Sequence, residues 1–420
     1  MTLVSILIIA ISFILLFHSL FTLLTMTYSW NDPHTLHLRK SPTQFQTPVH
    51  SFSLLVPARN EAEVIADTLH AMNSLNYPAE LYEVIVLCRE DDAKTITAVR
   101  DVIPTLQNQL VRLQIVSKSI DNKPKALNIG LKNARNDVVA VFDAEDEPHP
   151  DILQIVNTLM IDHQYDVLQS GVQLINYTSK WFSALNVLEY YFWFKSALHF
   201  YAQFGVVPLG GNTVFIRQSL LKSVNGWSEN ILTEDADLGI RLSLQGANIG
   251  IVYDEAHTTH EETPTTIAEF IKQRTRWNQG FLQIFFRFEW RQLLGVRRQL
   301  FTAYLLIMPL IQALWIFYLP LTIIAMLFLE LPVVWAMFSL LPAYVLLIQL
   351  VLYNYGLYTF TRGYGYSYSL LLPFHILLTY FPYQILLSIA AFRGVIHLTQ
   401  GQNTWEKTTH LNSHRESHAS

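Results

Sequence analysis

The sequence predicts an α/β domain with a largely parallel sheet, in a chain that also forms transmembrane α-helices. Three observations on the 420 residues predict this architecture. Residues 2–27 contain no Lys, Arg, Asp or Glu, and the chain beyond about residue 300 is again mostly apolar. Roughly residues 50–290 between them are charged and mixed in composition. Since about 20 apolar residues cross a bilayer as a helix, the two apolar parts belong to a membrane and the middle part to soluble chemistry.

The amino-terminal segment, residues 1–28, is expected to be a transmembrane anchor. A cleaved signal peptide is the alternative, and it needs a basic start, a short apolar core and a cleavage site of small residues. None of these three features is visible in the segment. The sequence therefore favours an anchor that stays in the protein.

Residues 299–395 are expected to form three or four further transmembrane helices. The apolar residues divide most naturally into three pieces, near 301–329, 331–358 and 368–392. Pro320 and Pro342 could instead break the first two pieces into three short helices. Basic residues favour a cytoplasmic tail over residues 396–420, which an even number of crossings would give. From the sequence both divisions stay open.

The composition gives no indication of several other classes of protein. The single cysteine, Cys88, cannot form an internal disulfide or a cysteine-based zinc site, so no oxidising compartment is required. The net charge is −5 and no long basic run occurs, so nothing indicates a nucleic-acid partner.

Short apolar or β-branched runs alternate with helix-like stretches in the middle part. The runs are SFSLLVPA (51–58), YEVIVLC (82–88), VRLQIVS (111–117) and DVVAVFDA (137–144). This rhythm predicts βαβ units and a buried, largely parallel sheet. Ligands bind such open sheets at the carboxyl ends of the strands. Polar clusters follow these strands in the sequence, so the functional site is expected at that edge.

Residues 263–298 are expected to form amphipathic helices at the membrane surface. Thr263 fits an N-cap and Pro264 suits the first helical position. Large apolar residues then recur at steps of three and four, and arginines flank the segment. Such a pattern is typical of a helix at a cytoplasmic membrane surface.

Three polar clusters could carry chemistry, although each also has an ordinary explanation. Asp143, Glu145 and Asp146 follow a strand and suit Mg²⁺ or Mn²⁺, or they form a solvated loop before a helix. Lys123 suits a phosphate, or it is a surface lysine. Asn60 opens a helix whose start would attract a phosphate, or it is simply the N-cap.

The stretch ILTEDADLG (231–239) places three carboxylates within a few positions. Thr233 could cap a helix with acids in its first turn. The following residues, ADLGIRLSL, alternate apolar and polar, which is the period of a strand. The local pattern leaves both structures open.

Taken together, six motifs resemble those of the membrane-bound family 2 glycosyltransferases, and most of all the cellulose synthase-like processive enzymes. In chain order they are VPARNE, the acidic pair Asp91 and Asp92, KPKALN, DAEDEPHPD, TED and QRTRW. The resemblance covers nearly the whole chain, and TWEKTTH (404–410) also matches a segment of bacterial members. It implies a GT-A type (Rossmann-like) catalytic domain over residues 29–262, followed by the QxxRW signature within residues 263–298.

The resemblance also implies roles for individual residues. The nucleotide-sugar would be bound by Pro57, Arg59, Glu61, Asp91, Asp92, Lys123, Asp143, Gln273 and Arg276. The acceptor would be bound by Gly211, Asn212, Glu234 and Trp277. The metal motif of the family is Asp-x-Asp, so Mg²⁺ or Mn²⁺ would be bound by Asp143 and by Glu145, which departs from that motif. Asp146 is the alternative second ligand.

The implied function is that of an inverting membrane glycosyltransferase that adds sugars, from a UDP-sugar in particular, to a growing polysaccharide. Asp235 would be the general base, Glu234 a support and Asp237 a solvated neighbour. The alternative is transfer of a single sugar to a membrane lipid, and a third interpretation is a membrane protein that binds nucleotide-sugars without turnover. The expected location is the bacterial inner membrane, with the catalytic domain in the cytoplasm.

Overall fold

The computed structural model of the chain describes residues 3–31, 40–107, 110–328 and 333–402, and the segment 404–410 lies outside them. The strands of its main sheet are β1 (Phe52–Ala58), β2 (Tyr82–Arg89), β3 (Val111–Val116), β4 (Val138–Val141), β5 (Val167–Ser170), β7 (Val214–Arg217) and β8 (Ile249–Val252). Their order is β3-β2-β1-β4-β7-β5-β8. A separate two-stranded sheet pairs β6 (Val172–Leu174) with β9 (Thr259–Glu261).

Strands β1 to β4 confirm the parallel arrangement that the sequence predicts. Strand β7 is an addition, because it pairs antiparallel with β4 and places Val214 opposite Val141. Two antiparallel neighbours run in opposite directions, so the residues just before β7 lie beside those just after β4. The loop of residues 210–212 thereby comes next to Asp143.

The helices begin and end at the following residues. They are α1 (Leu3–Asn31), α2 (Ile65–Asn73), α3 (Ala93–Val102), α4 (Lys123–Asn133), α5 (Ile152–Asp162), α6 (Ser183–Phe192), α7 (Leu198–Gln203), α8 (Gln218–Ser223), α9 (Glu234–Leu244), α10 (Ile267–Arg287), α11 (Val296–Phe328), α12 (Val333–Gly363) and α13 (Leu372–Thr399). Alternate residues of β1 enter two separate apolar clusters, Leu54 and Val56 in one and Leu55 in the other. Both faces of the sheet are therefore buried, as in other parallel sheets.

Four of the described helices, α1, α11, α12 and α13, are long and apolar enough to cross a membrane. Helix α1 packs against α11 and α12, and α13 packs against α10 and α11. Pro320 lies inside α11 and Pro342 inside α12, and each helix continues on both sides of its proline. Large apolar side chains such as Phe17 and Leu378 are exposed on the outside of this bundle, which suits a lipid environment.

Helix α10, which carries QRTRW, begins later than the sequence suggested. Thr266 is its N-cap, since the Thr266 side chain accepts a hydrogen bond from the amide of Glu269 at 3.2 Å. The assignment of this role to Thr263 was wrong, because the Thr263 hydroxyl lies 3.0 Å from that of Ser183. Pro264 precedes the helix.

The TED stretch opens a helix and not a strand. Helix α9 begins at Glu234, with Thr233 at the N-cap position. The alternating pattern is uninformative here because Ala236, Leu238 and Ile240 are all buried. A helix that is covered on nearly every side has no polar face to show its period of 3.6 residues.

Candidate active site

A cavity of about 700 Å³ lies at the carboxyl ends of β1 and β4 and continues between the apolar helices. Most of the predicted site residues line it: Pro57, Arg59, Glu61, Lys123, Asp143, Glu145, Gly211, Asn212, Glu234, Asp235, Gln273, Arg276 and Trp277. We call this part of the cavity the polar chamber. The fold therefore assembles one chamber from segments that are distant in the chain.

Lys123, the first residue of α4, is a partly buried cation in the polar chamber. Its Nζ pairs with the carboxylate of Asp143 and donates a hydrogen bond to the carbonyl oxygen of Gly211 at 3.0 Å. Burial by itself lowers the pKa of Lys123, but the charges of Asp143 and Glu234 outweigh it and raise this pKa above its ordinary value. Lys123 therefore stays protonated between the carboxylates.

The acidic loop after β4 presents Asp143 and Glu145 to the cavity, whereas Asp146 lies fully buried. Asp146 accepts a hydrogen bond from the amide of Asp143 at 2.7 Å and another from the side chain of Asn212 at 2.9 Å. Asn212 also donates to Glu261, so its amide holds the loop in place. Burial and the nearby charges of Glu261 and Asp143 raise the pKa of Asp146 well above its usual range. Asp146 therefore shapes the loop, and Glu145 is the second acid that faces the cavity.

The chemistry of this donor set fits a divalent cation of the Mg²⁺ or Mn²⁺ type. Such ions take oxygen ligands, and Mg²⁺ is usually held by one or two carboxylates together with phosphates of a substrate. Asp143 and Glu145 supply two carboxylates on the wall of one cavity. The crowding of acids that raises the pKa of Asp146 is an excess of negative charge that a cation would offset.

Glu234 and Asp235 reach the polar chamber from the amino end of α9. Asp235 Oδ1 accepts a hydrogen bond from the amide of Ala236 at 2.8 Å. Gly211 leaves room for this carboxylate, since a Cβ atom there would lie 3.1 Å from Asp235 Oδ2. Burial and the charge of Asp235 raise the pKa of Glu234 to about 8. Burial also raises the pKa of Asp235, although the Ala236 amide and Lys123 oppose this shift.

Helix α10 presents Gln273, Arg276 and Trp277 to the cavity. Burial lowers the pKa of Arg276, and the charge of Glu234 opposes the shift. The side-chain oxygen of Gln273 is buried and has no hydrogen-bond partner among the described residues, so a hydroxyl of a ligand would satisfy it. The ring of Trp277 lies 6.1 Å from that of Tyr190, which also lines the cavity. The helix thus offers a cation, an acceptor and an aromatic surface.

Arg274, the other arginine of the motif, is held by side chains of α6. It donates to Asn186 at 2.5 Å and to Glu189 at 2.6 Å. Its guanidinium group also lies over the ring of Trp277, 4.5 Å from the ring centre. Arg274 therefore fixes Trp277, and Arg276 is the arginine that faces the acids of the chamber.

Close packing fixes α10 against the start of α9. A Cβ atom at Gly280 would lie 2.8 Å from the backbone nitrogen of Thr233, which is closer than real Cβ atoms approach. The amide of Leu232 donates to Gln283 at 2.9 Å. Because Gly280 lies one turn after Arg276, these contacts determine where Arg276 stands relative to the acids of α9.

The first motif, VPARNE, forms a loop that the side chain of Asp92 holds in place. Asp92 accepts a hydrogen bond from the amide of Asn60 at 2.5 Å, and it caps α3 by accepting another from the amide of Thr95. Asn60 has a φ of 57°, in the left-handed region. Asp91 is exposed and pairs with Arg89. Neither acid lines the cavity.

Asp237 is not the solvated neighbour that the sequence suggested. Its side chain is 3% exposed and pairs with Arg241 at 2.7 Å and with Arg287 at 3.5 Å. It also accepts a hydrogen bond from the hydroxyl of Ser228 at 2.5 Å. The spacing of Asp237 and Arg241 by four residues on a helix was the signal in the sequence that could have shown this pairing.

Some cavity-lining acids and aromatic residues were missed by the sequence analysis. They are Glu189, Tyr190, Glu261 and Glu262. The two glutamates at the end of β9 follow the same rule as the other acids, since they come at the end of a strand. Glu189 and Tyr190 gave no signal, because they lie within an apolar helix and no motif contains them.

The cavity continues as an apolar slot between α1 and α11. One face of α1 lines this slot with His18, Phe21, Thr22, Thr25 and Met26. One face of α11 lines it with Leu305, Met308, Pro309 and Gln312. Steps of three and four residues place each set on a single helix face. Since a helix rises 1.5 Å per residue, the slot follows α1 for about 12 Å.

A family model described as "Glycosyltransferase like family 2" matches residues 48–280. This range is more than half of the chain, and it includes every motif from VPARNE to QRTRW. The chain belongs to this family. Its GT-A type fold is the one that the family resemblance implied, and the apolar helices complete the predicted fold class.

The relatives and solved structures similar to this family member differ in what they act on. A β-monoglucosyldiacylglycerol synthase of Synechocystis sp. is 30% identical over 251 residues, which are 58% of this chain and 50% of the relative. A probable glucomannan 4-β-mannosyltransferase of Oryza sativa is 26% identical over 55% of this chain and 43% of its own length. The chain thus spans about half the length of the curated relatives it matches. The mannosyltransferase PcManGT of Pyrobaculum calidifontis, solved with GDP-Man and Mn²⁺, shares the fold at 17% identity, with a TM-score of 0.55 over 94% of this chain and 99% of that one.

Proposed function

We propose that this chain is an inverting membrane glycosyltransferase that transfers a sugar from a nucleotide-sugar to a hydroxyl group of a membrane lipid. The observation that carries this proposal is the continuity of the cavity. The polar chamber, with Lys123, Asp143, Asp235 and Arg276, opens into the slot between α1 and α11. An amphipathic acceptor fits this shape, with its hydroxyl among charged groups and its chain among apolar ones.

The proposal adopts the alternative interpretation of the sequence in place of polysaccharide elongation. The Synechocystis relative is named as a synthase of a glucosyl diacylglycerol, which is a lipid with one sugar. Five of the nine residues named for the slot are apolar, among them Phe21, Met26 and Met308. The hydroxyls of Thr22 and Thr25 donate to backbone carbonyls of α1, so the slot suits a hydrocarbon chain better than a hydrated glycan. Elongation of a polysaccharide is the second candidate, favoured by the QxxRW signature on α10.

In the proposed mechanism the acceptor oxygen attacks the anomeric carbon from the face opposite the diphosphate. The bond between that carbon and the diphosphate oxygen breaks and its electron pair leaves with the diphosphate, while Asp235 takes the hydroxyl proton. Lys123 and Arg276 are the cations that lie near the developing negative charge. A divalent ion held by Asp143 and Glu145 would supply further positive charge to the diphosphate.

Four further predicted residues have positioning or binding roles in this proposal. Gln273 would accept a hydroxyl of the donor or the acceptor, and Trp277 would stack on the apolar side of a sugar ring. Asp92 would position the nucleotide indirectly, because it holds the VPARNE loop. Asn212 would position the substrates indirectly, because it holds the acidic loop after β4. The hydrogen bonds of Asp92 and Asn212, the side-chain oxygen of Gln273 that lacks a partner among the described residues, and the ring contact of Trp277 support these roles.

We also propose that the α/β domain lies on the cytoplasmic side of the membrane and spans residues 29–262, as expected from the sequence. Arginines that flank the end of α10 and the start of α11 favour this side. They are Arg287, Arg291, Arg297 and Arg298. Helix α10 would then lie at the membrane surface, between the polar chamber and the bundle.

The test is a product assay with the purified protein in vesicles that contain diacylglycerol and phospholipid. Radiolabelled UDP-sugars and GDP-sugars are supplied in turn with Mg²⁺ or Mn²⁺. The expected product is a glycolipid with one sugar that extracts into organic solvent. A labelled polymer would support the second candidate, and donor binding without release of nucleoside diphosphate would contradict both.

A further inference from the structure

Outside the cavity, the geometry points to a transition-metal site formed by His149, Asp151 and His257, which would take an ion of the Zn²⁺ type. One ligand atom of each residue lies within 4.8 Å of the ligand atoms of the other two. Two imidazoles and one carboxylate are ligands that Zn²⁺ and related ions prefer, whereas Mg²⁺ prefers oxygen ligands alone. None of the three residues lines the cavity, so this site is separate from Asp143 and Glu145.

The three side chains already stand in a fixed arrangement. The rings of His149 and His257 are 4.5 Å apart and nearly perpendicular, at 89°. The amide of Asp151 donates to Nδ1 of His149 at 3.1 Å, and the Asp151 carboxylate is 4.0 Å from the same nitrogen. An ion bound by His149 would take the place of this amide bond. All three side chains are between 26% and 29% exposed. An ion could therefore enter from solvent and keep water in its open positions.

His257 has the carboxylate neighbour that metal-binding histidines commonly have. Its Nδ1 atom is buried and faces the carboxylate of Asp254. Oδ2 of Asp254 lies 3.7 Å from Nδ1 of His257. Histidines that bind metals usually donate the proton of their second nitrogen to a carboxylate. Asp254 stands where it would accept that proton, which leaves Nε2 of His257 for the ion.

Asp254 is itself held in place for this supporting role. It accepts hydrogen bonds from the amide of Ala256 at 3.2 Å and from the amide of Ser41 at 3.3 Å. The carboxylate therefore cannot turn away from His257 without the loss of both bonds.

An ion at this site would connect two loops, each of which leads to acidic residues that line the cavity. His149 and Asp151 follow the loop that carries Asp143 and Glu145, and His257 precedes β9. A backbone bridge already joins Glu147 to His260 between the same loops. The ion would add a second connection, so we assign it a structural role.

The test is ion binding by the full chain, purified with any affinity tag removed and stripped with a chelator. Titration with Co²⁺ is expected to give visible d–d absorption from an ion at this cluster, which Zn²⁺ displaces. His149→Ala and His257→Ala should each lower Zn²⁺ affinity at least tenfold, and Asp254→Asn should lower it by about 10- to 100-fold. Circular dichroism verifies that each variant is folded, and Asp254→Asn, which keeps all three ligands, replaces any variant that is not.

Two matched controls make the result decisive. His163→Ala removes an exposed histidine outside the cluster and should leave affinity unchanged. The double variant Asp143→Asn with Glu145→Gln removes the cavity acids and should keep the Co²⁺ signal. Unchanged affinity in the cluster variants, or loss of the signal in this double variant, would overturn the proposal. Because ion binding is measured and not sugar transfer, failure of the proposed function would leave this result standing.

Discussion

Glu234 and Asp235 are neighbours in the sequence, and their surroundings raise the pKa of both carboxyl groups. Burial and the charge of Asp235 raise the pKa of Glu234 to about 8, so Glu234 holds its proton at pH 7. Asp235 is partly buried, which raises its pKa, but the amide of Ala236 and the charge of Lys123 stabilise its ionised form. Neighbouring carboxyl groups in different environments can take different roles, and we assign the base to Asp235 and the neutral neighbour to Glu234.

Replacement of Asp235 by Asn is therefore expected to abolish transfer while donor binding remains. The amide keeps the size of the side chain but cannot accept the hydroxyl proton, and loss of a general base costs about 10²- to 10⁴-fold in turnover. Donor affinity by calorimetry and nucleoside diphosphate release are the two measurements. A variant that transfers sugar at the normal rate would remove Asp235 from the mechanism.

Glu234→Gln is the matched control for Asp235→Asn. Gln resembles the protonated form of Glu234, so turnover at pH 7 should stay within a few-fold of the unchanged protein. Above pH 8 Glu234 loses its proton and places a negative charge beside Asp235, which the variant cannot do. The rates of the two proteins should therefore diverge as the pH rises through about 8, and identical profiles would contradict this assignment.

At the residue scale, the sequence predicted which side chains meet better than it predicted what each one does. Lys123, Asp143 and Asp235 line one cavity as expected. Asp92 and Asn212, by contrast, are engaged in hydrogen bonds that hold loops. A motif records which residue types occur together, but the partner of a carboxylate or an amide depends on the backbone that surrounds it.

At the scale of elements, the strands with a long apolar pattern could be predicted and the short ones could not. Strands β1 to β4 follow βαβ units, whose pattern is visible in the sequence. Strand β7 is as short as β4, but it lies outside the βαβ pattern and pairs antiparallel with a strand far away in the chain, so no local period reveals it. The sequence did not distinguish helix from strand for α9, because buried residues lie on nearly every side of this helix.

The docking of α10 on α9 gives a prediction at this scale, tested by Gly280→Ala. The added methyl group would lie 2.8 Å from the Thr233 backbone nitrogen, so α10 must shift. Arg276 lies one turn before Gly280 and would move with it. Misplacement of a catalytic group by about 1 Å can cost up to about 10²-fold, so turnover should fall by about 10- to 100-fold.

Thr266→Ala is the control for a general loss of stability in α10. It removes the N-cap hydrogen bond to the amide of Glu269, which costs about 1 kcal/mol, but it leaves the contact with α9 intact. The melting temperature should fall in this variant while turnover is nearly unchanged. Equal loss of turnover in both variants would show that the packing at Gly280 has no special role.

At the scale of the whole molecule, the sequence predicted the apolar helices but not the slot between two of them. The residues of α1 and α11 that line it are nearly 300 positions apart in the chain, and they belong to no motif. Hydropathy shows that a helix is apolar on all sides, as expected for a membrane span. It does not show which side faces a cavity and which faces lipid.

The last prediction concerns this slot and is tested by Thr22→Trp. Thr22 lines the slot, so an indole ring there would fill the space that we assign to the lipid chain. Transfer to lipid should fall at least about tenfold, whereas slow hydrolysis of the donor by water should persist because the polar chamber is unchanged.

Leu20→Trp is the control, since Leu20 lies on α1 with 48% of its surface exposed on the outside of the bundle. Equal transfer by both variants would mean that the acceptor does not enter between α1 and α11. Loss of hydrolysis together with transfer would instead show that the ring disturbs the chamber, and Met308→Trp on the facing helix would then repeat the test.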